Sequence, residues 1–180
     1  DAMAGAADLA QRLGYTTVVL PQPVKGEARR AAIEHLDQVA AVLATGAGRS
    51  TRGLCVISSG ETTVRVTGPG RGGRNQEFVL AALERLAGLG PFAVCASVGT
   101  DGVDGPTDAA GAIGEARSLA RAATAGLAPV GDFLQRNDSY HFFRAMDDLV
   151  VTGPTGTNVG DLQVVLAPIE PSGPPAAAGV

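Results

Sequence analysis

Apolar residues recur at three- to four-residue spacing over Ala2–Leu13 and stop at Gly14, so the chain opens on a predicted helix. A short β-patterned run, Thr16–Leu20, follows, and Pro21 and Pro23 mark a turn. Ala32, Leu36, Val39, Ala40 and Leu43 then share one face of an amphipathic helix, before a glycine-containing linker over Thr45–Arg52. Beyond it, the pattern predicts strands over Leu54–Ser58 and Thr62–Thr67, joined as a hairpin through Ser59, Gly60 and Glu61. A glycine-rich loop, Gly68–Glu77, leads into a helix over Phe78–Leu89 and a buried strand over Phe92–Val98. A second glycine-rich loop, Gly99–Gly114, precedes a helix of about a dozen residues from Glu115, with Leu119, Ala122 and Ala123 inward. Asn137 is placed to cap a helix over Ser139–Met146. Strands over Leu149–Thr152 and Asp161–Leu166 flank a third small-residue loop, Gly153–Gly160. Pro168–Val180, rich in Pro, Ala and Gly, is expected to fray.

Hairpins alternating with strand-loop-helix units predict an α/β fold: a mixed β-sheet with flanking helices. The one strand and two helices before the linker do not make a sheet by themselves. Residues 1–53 are therefore expected to be the tail of an additional N-terminal domain, 54–168 the main domain, and 169–180 a disordered tail.

Composition narrows the functional classes. The 180 residues are 45% hydrophobic and 18% charged, without an apolar run long enough to cross a bilayer, which excludes a membrane-spanning helix from the expectations. Net charge is −4 with scattered basic residues, so neither a nucleic-acid stripe nor an anionic-membrane surface is predicted. Thirteen of the fourteen basic residues are Arg, the better bidentate partner for phosphate; Lys25 is the only Lys. Cys55 and Cys95 sit inside apolar runs and read as buried free thiols of a reducing, cytoplasmic compartment. His35 and His141 read as partly exposed helix residues.

Candidate chemistry concentrates in the three loops. Gly68, Gly70 and Gly73 spell the dinucleotide-type GxGxxG, but a hairpin precedes them, and Asp101 lies well beyond the spacing of about 20 residues at which an acidic ribose ligand belongs. From Gly68 the same loop has GxxxxG spacing, with Arg74 and Asn75 where a nucleotide-binding P-loop has Lys and a hydroxyl residue. A strand, a glycine-rich turn and a helix N-terminus still aim amides at an anion, and Arg71 and Arg74 add guanidinium groups. Gly70, Arg71, Gly72, Gly73 and Asn75 are therefore candidate phosphate- or substrate-binding residues. On the second loop Asp101, Asp104 and Asp108 either converge on a hard cation such as Mg²⁺ or supply a general base. Thr155, Thr157 and Asn158 on the third loop offer polar contacts to a polyol or phosphate, or simply form turns.

Taken together, GPGRGGRNQE, GTDGVDGPTDAAG and NDSYHFFRAMDDLVVTGPTGTNVGDLQVVL resemble the C-terminal MOFRL domain of the glycerate 2-kinase family, whose members were long labelled hydroxypyruvate reductases. Residues around Lys25-Gly26-Glu27-Ala28-Arg29 resemble the end of that family's Rossmann-like first domain. The resemblance implies ATP- and Mg²⁺-dependent phosphorylation of D-glycerate in a groove between two domains, with Arg74 and Asp101 among the catalytic residues beside a lysine of the N-terminal domain. Lys25 lies outside the part expected to supply that lysine, and Ser58-Ser59-Gly60-Glu61 departs from the family's Gly-Gly before Glu. An NAD(P)-dependent hydroxypyruvate reductase, a non-catalytic nucleotide-binding fragment and a homodimer remain alternatives at this point.

Overall fold

Residues 53–63 form one uninterrupted strand in the computed structural model, which describes residues 2–48 and 51–168. Around this strand a seven-stranded mixed sheet assembles. Along the chain the elements begin with α1 (Ala2–Arg12), β1 (Thr16–Val19), β2 (Val24–Glu27), α2 (Ala28–Ala44) and β3 (Gly53–Thr63). They are followed by α3 (Arg74–Ala87), β4 (Val94–Gly99), β5 (Gly111–Glu115), α4 (Ser118–Thr124), α5 (Val130–Gln135), α6 (Ser139–Met146), β6 (Leu149–Val150) and β7 (Asp161–Pro168). Strand order is β1-β3-β7-β4-β5-β6, with β2 pairing to the far end of β3. β1 and β2 run parallel to β3, and every other pair is antiparallel.

The expected hairpin at Ser59-Gly60-Glu61 is thus corrected to continuous strand, in which Ser59 and Gly60 pair with Leu162 and Asp161 of β7. Gly60 serves a close approach, not a turn. A Cβ there would lie 2.0 Å from the Val24 carbonyl oxygen, so glycine lets β2 come alongside. β2 itself was hidden in the sequence by Pro21 and Pro23, and through it and β1 the first 48 residues share the sheet of the rest of the chain.

Period-2 alternation along the central strands divides the interior in two. Leu54 and Val56 of β3, with Val165 and Ala167 of β7, face the larger core beneath α2, α3, α4, α5 and α6. Cys55 and Ile57, with Leu162, Val164 and Leu166, face α1, where Met3, Ala6, Ala7 and Ala10 cover them. Burying the larger face requires α2 against α3: Ala28, Ala31, Ala32, Leu36 and Val39 meet a helix whose Phe78, Val79, Leu80, Ala82, Leu83 and Leu86 are all buried.

Several local expectations change for identifiable reasons. Ala40 is exposed and His35 is buried, because α2 turns the latter toward Phe78, ring centroids 5.8 Å apart, and Ser58. The second glycine-rich loop ends early, since Gly111–Glu115 pairs with β4 and a Cβ at Gly111 would lie 1.9 Å from the Ser97 carbonyl oxygen. α4 is only seven residues long, terminated at Gly126 with φ +73°, and a further short helix, α5, follows. Cys55 and Cys95 are buried free thiols, as expected, and burial pushes them up to about 11 and about 12. The tail expected to be disordered, 169–180, lies outside the described residues. Among those described, no helix is long and apolar enough to cross a membrane.

Candidate functional site

α3 begins at Arg74, four residues before its expected start, so Arg74, Asn75 and Gln76 form its first turn. Free amides at a helix N-terminus attract an anion, and the chain supplies its own. The Asp104 carboxylate accepts the Asn75 amide at 3.0 Å on Oδ1 and the Gln76 amide at 2.9 Å on Oδ2. It is 1% exposed, and burial pushes its pKa up while these amide hydrogen bonds oppose the shift. The helix end foreseen as a phosphate cradle is therefore occupied by a side chain.

Glycines of the first loop pack closely against protein on one side, while Gly70, Gly72 and Gly73 also line a cleft on the other. A Cβ at Gly68 or Gly70 would lie within 2.5 Å of Arg136 backbone atoms, one at Gly72 2.2 Å from Ser139 Oγ, and one at Gly73 2.3 Å from Asp104 Cγ. Gly70 N–H donates to the Arg136 carbonyl at 2.8 Å, and Arg71 N–H to Asp138 Oδ1 at 3.0 Å. Asn137, expected as a helix cap, sits instead at φ +54° and clamps this loop. Its Oδ1 accepts from Thr67 N and Gly68 N at 2.8 and 3.0 Å. Its Nδ2 donates to the Arg65 carbonyl and, at 3.0 Å, to buried Glu77. Glu77 in turn accepts Arg29 Nε at 2.8 Å, which ties the loop to α2. Asp138, the residue at the start of α6, makes no capping bond to its own helix.

Packing of the loop leaves one side of Arg74 facing a cleft of about 680 Å³, lined by Lys25, Glu61, Val66, Gly72, Arg74 and Pro106 among others. Arg74 Nε and Nη2 donate to Asp161 Oδ2 and Oδ1 at 2.7 and 2.9 Å, while Nη1 lies 3.6 Å from exposed Glu61. The Asp161 hydrogen bonds, with the charges of Asp161, Glu61 and Asp104, hold the guanidinium pKa above its ordinary value against the opposing effect of burial. A guanidinium has five N–H groups in one plane, so a bidentate carboxylate on the Nε side leaves the Nη1 edge for a second anionic group, the position Glu61 takes in this structure. Lys25, set aside in the sequence because it lies outside the part expected to supply the family's lysine, is carried by β2. The strand pairing sets it directly opposite Glu61, and so on the same cleft as Arg74.

The remaining candidates are elsewhere. Arg71 is exposed and stacks on Tyr140, 4.5 Å to the ring centroid, with Nε donating to the Pro106 carbonyl at 2.9 Å. Asn75 is buried under Arg74. Asp101 Oδ1 accepts Val103 N at 3.0 Å, and its carbonyl accepts Thr155 N at 3.1 Å. Thr155 Oγ1 donates to the Thr100 carbonyl at 2.5 Å, and Asn158 Oδ1 accepts Gly160 N at 3.1 Å. These turn contacts bring the third loop onto the second. There Thr155 and Thr157 line a separate cavity of about 510 Å³ with Val98, Thr100, Val150 and Val159. Asp108 accepts the Tyr140 hydroxyl at 2.7 Å. Asp101, Asp104 and Asp108, expected around Mg²⁺, thus each engage different protein partners in this structure. Among the described residues no three His, Cys, Asp or Glu side chains group around a cation site, and Asp104 is spent on helix amides. His141 is exposed, as expected, with Nδ1 2.5 Å from Asp138 Oδ1.

This fold recurs in known proteins. The chain superimposes on a crystal structure of glycerate kinase from Thermotoga maritima with a TM-score of 0.83 at 35% identity, covering 92% of this chain and 39% of that one. A solved structure from Pyrococcus horikoshii gives 0.82 at 31% identity, covering 93% and 38%. In sequence, a D-glycerate 2-kinase of Thermotoga maritima is 47% identical over 111 residues, 62% of this chain and 26% of the relative. A protein of Agrobacterium vitis carrying the label hydroxypyruvate reductase is 43% identical over 174 residues, 92% of this chain and 43% of the relative. The chain thus spans less than half the length of these relatives. Residues 54–161, which contain the glycine-rich loop, the aspartate loop and the start of β7, match the MOFRL family model, and the chain belongs to the MOFRL family.

Proposed function

We propose that this chain supplies the arginine-bearing side of a glycerate kinase active site, transferring the terminal phosphoryl group of ATP to D-glycerate. The observation that carries the proposal is Arg74. Its charge is held by buried Asp161, with Glu61 3.6 Å from Nη1, and it lines a cleft large enough for a small polyol acid and a phosphate. Kinase names among the relatives, on proteins of which this chain matches less than half, support the same reading.

Phosphoryl transfer depends chiefly on positioning and on neutralising charge that spreads over phosphoryl oxygens. Arg74 and Lys25 would supply that positive charge from two sides of the cleft, or hold the glycerate carboxylate. The glycerate hydroxyl oxygen would bond to phosphorus as the bond to ADP breaks, and the hydroxyl proton would go to a carboxylate on the cleft, where Glu61 lies beside Arg74. Asp101, on the neighbouring loop, is outside this lining. Asp104 is taken up by the Asn75 and Gln76 amides, and no step here depends on a metal ion. The reductase reading needs pyrophosphate against Gly68, Gly70 and Gly73, where Arg136, Asp138 and Asp104 already lie.

Isotope-labelled chain titrated separately with D-glycerate, ATP and NADH tests the choice. The kinase reading expects saturable amide shifts at Gly72 and Arg74 with glycerate or ATP, lost in Arg74→Ala. Saturable NADH binding, with no response to glycerate or ATP, would overturn it. In a longer polypeptide containing this chain, Arg74→Ala should remove about 2 to 4 kcal/mol of transition-state stabilisation, read as kcat/KM for ADP release.

A further inference from the structure

A line of buried polar side chains crosses the sheet and ends on Arg74. Gln163 of β7 donates through Nε2 to Ser97 Oγ of β4 at 3.4 Å, and Ser97 Oγ donates to Asn75 Oδ1 of α3 at 2.6 Å. Asn75 Nδ2 reaches Asp161 Oδ1 at 3.1 Å and Asp104 Oδ1 at 3.3 Å. Asp161 then holds Arg74 through both oxygens. Gln163, Ser97, Asn75 and Asp161 are each no more than 1% exposed. On the other side, Gln163 Oε1 accepts Ser58 Oγ at 3.3 Å, and Ser58 lies 3.5 Å from His35 Nε2.

Such a chain is expensive to bury unless each member is satisfied, and apolar residues would fill the same interior at lower cost. Its direction is informative. Asn75 has one carbonyl and one amide end, and the Ser97 hydroxyl engages the carbonyl, so the NH₂ is turned toward the two carboxylates. Asp161 Oδ1 consequently receives both Asn75 Nδ2 and Arg74 Nη2, which locks the carboxylate plane and, with it, the guanidinium plane. We propose that Ser97 and Asn75 are positioning residues that act through Asp161 to fix which edge of Arg74 faces the cleft. The proposal rests on Arg74 being the anion-binding group of the proposed active site, and touches substrate through no residue but Arg74.

The side-chain Nε–H signal of Arg74 reads the lock directly. It is assigned by its disappearance in Arg74→Lys and followed by nitrogen-15 NMR on the 180-residue chain without ligand. A hydrogen bond to a buried carboxylate protects this proton, so wild type should show a displaced, slowly exchanging signal. Ser97→Ala removes one oxygen and leaves a methyl group. It should keep the backbone amide spectrum outside 74–76 and 161–163, yet speed Arg74 Nε–H exchange by about tenfold or more, the size of one lost buried hydrogen bond. Gln163→Met, one step further back, should give a smaller change in the same direction. Unchanged exchange and shift in Ser97→Ala would overturn the proposal. Loss of cooperative folding in both variants would also overturn it, because the chain would then serve the core and not Arg74. The underlying reading fails separately: wild-type Arg74 would be locked as described while D-glycerate, ATP and inorganic phosphate leave its signal unmoved.

Discussion

Replacing Asp104 by Ala tests the claim that the N-terminus of α3 carries its own anion. The substitution strips acceptors from the Asn75 and Gln76 amides, both in buried residues, and from Asn75 Nδ2, which retains Asp161. Leaving a buried donor unsatisfied costs about 1 to 3 kcal/mol, and loss of a capping side chain typically costs ~1 kcal/mol. Relaxation of the 99–111 loop would let water reach one amide, so a total of about 2 to 4 kcal/mol is expected rather than the full sum. Offsetting this is the desolvation that pushes the Asp104 carboxyl pKa up, which is why the lower end is included. At about 2 to 4 °C per kcal/mol for a chain of this size, Tm should fall by roughly 4 to 16 °C, measured by calorimetry at neutral pH. Asp104→Asn keeps one acceptor oxygen and should lose about half as much. Formate, a carboxylate without the tether, should restore part of the Tm of Asp104→Ala and leave wild type unchanged, since ligand binding to the native state alone stabilises it. A Tm loss below ~1 °C, or equal formate effects on both proteins, would refute the self-capping argument.

Two further outcomes follow from packing and burial. His35 is 2% exposed and its pKa is lowered to about 4 by burial, so the unfolded chain binds the proton more tightly. Stability from neutral His35 is present above pH ~6.5 and declines as pH falls toward 4, by up to about 3 kcal/mol; urea unfolding of wild type and His35→Gln across this range should converge at low pH, and parallel curves would contradict it. Gly70→Ala sets a Cβ 2.4 Å from the Arg136 carbonyl oxygen and should cost about 1 to 3 kcal/mol. Gly131→Ala on α5 meets nothing within 4 Å and should stabilise by about 0.5 to 1 kcal/mol. Equal effects on thermal melts would show that the loop glycines are not needed for close approach.

Residues whose role depends on their own conformational preference were readable along the chain. The 3.6-residue period of α2 and α3 and the Ser139–Met146 helix emerged from pattern alone, because burial of one face dictates both. Residues whose role depends on a distant partner were not. Gly60 and Gly68 look like turn formers in sequence, yet each is glycine because another backbone passes within 2.5 Å. Asp104 looks like a metal ligand beside Asp101 and Asp108 until the fold brings it, across 29 residues, beneath the Asn75 amide. Asp161 follows the third polar loop and Lys25 lies in a family-like stretch, but only the fold brings each of them beside Arg74.

By itself, then, the sequence determined the mixed α/β class, the three polar loops, the buried thiols and the family, since hydrophobic periodicity and motif order are local properties that survive without coordinates. Tertiary structure alone decided that the first loop packs against Arg136, Asp138 and Ser139 while Gly70, Gly72 and Gly73 line the cleft of Arg74. It also decided that Asp161 and the Ser97–Asn75 line hold Arg74 toward a cleft shared with Lys25 and Glu61. The physical reason is that hydrogen bonds and close backbone approaches are set by distance in space, and here the partners lie 87 positions apart for Arg74 and Asp161 and 105 for Ser58 and Gln163.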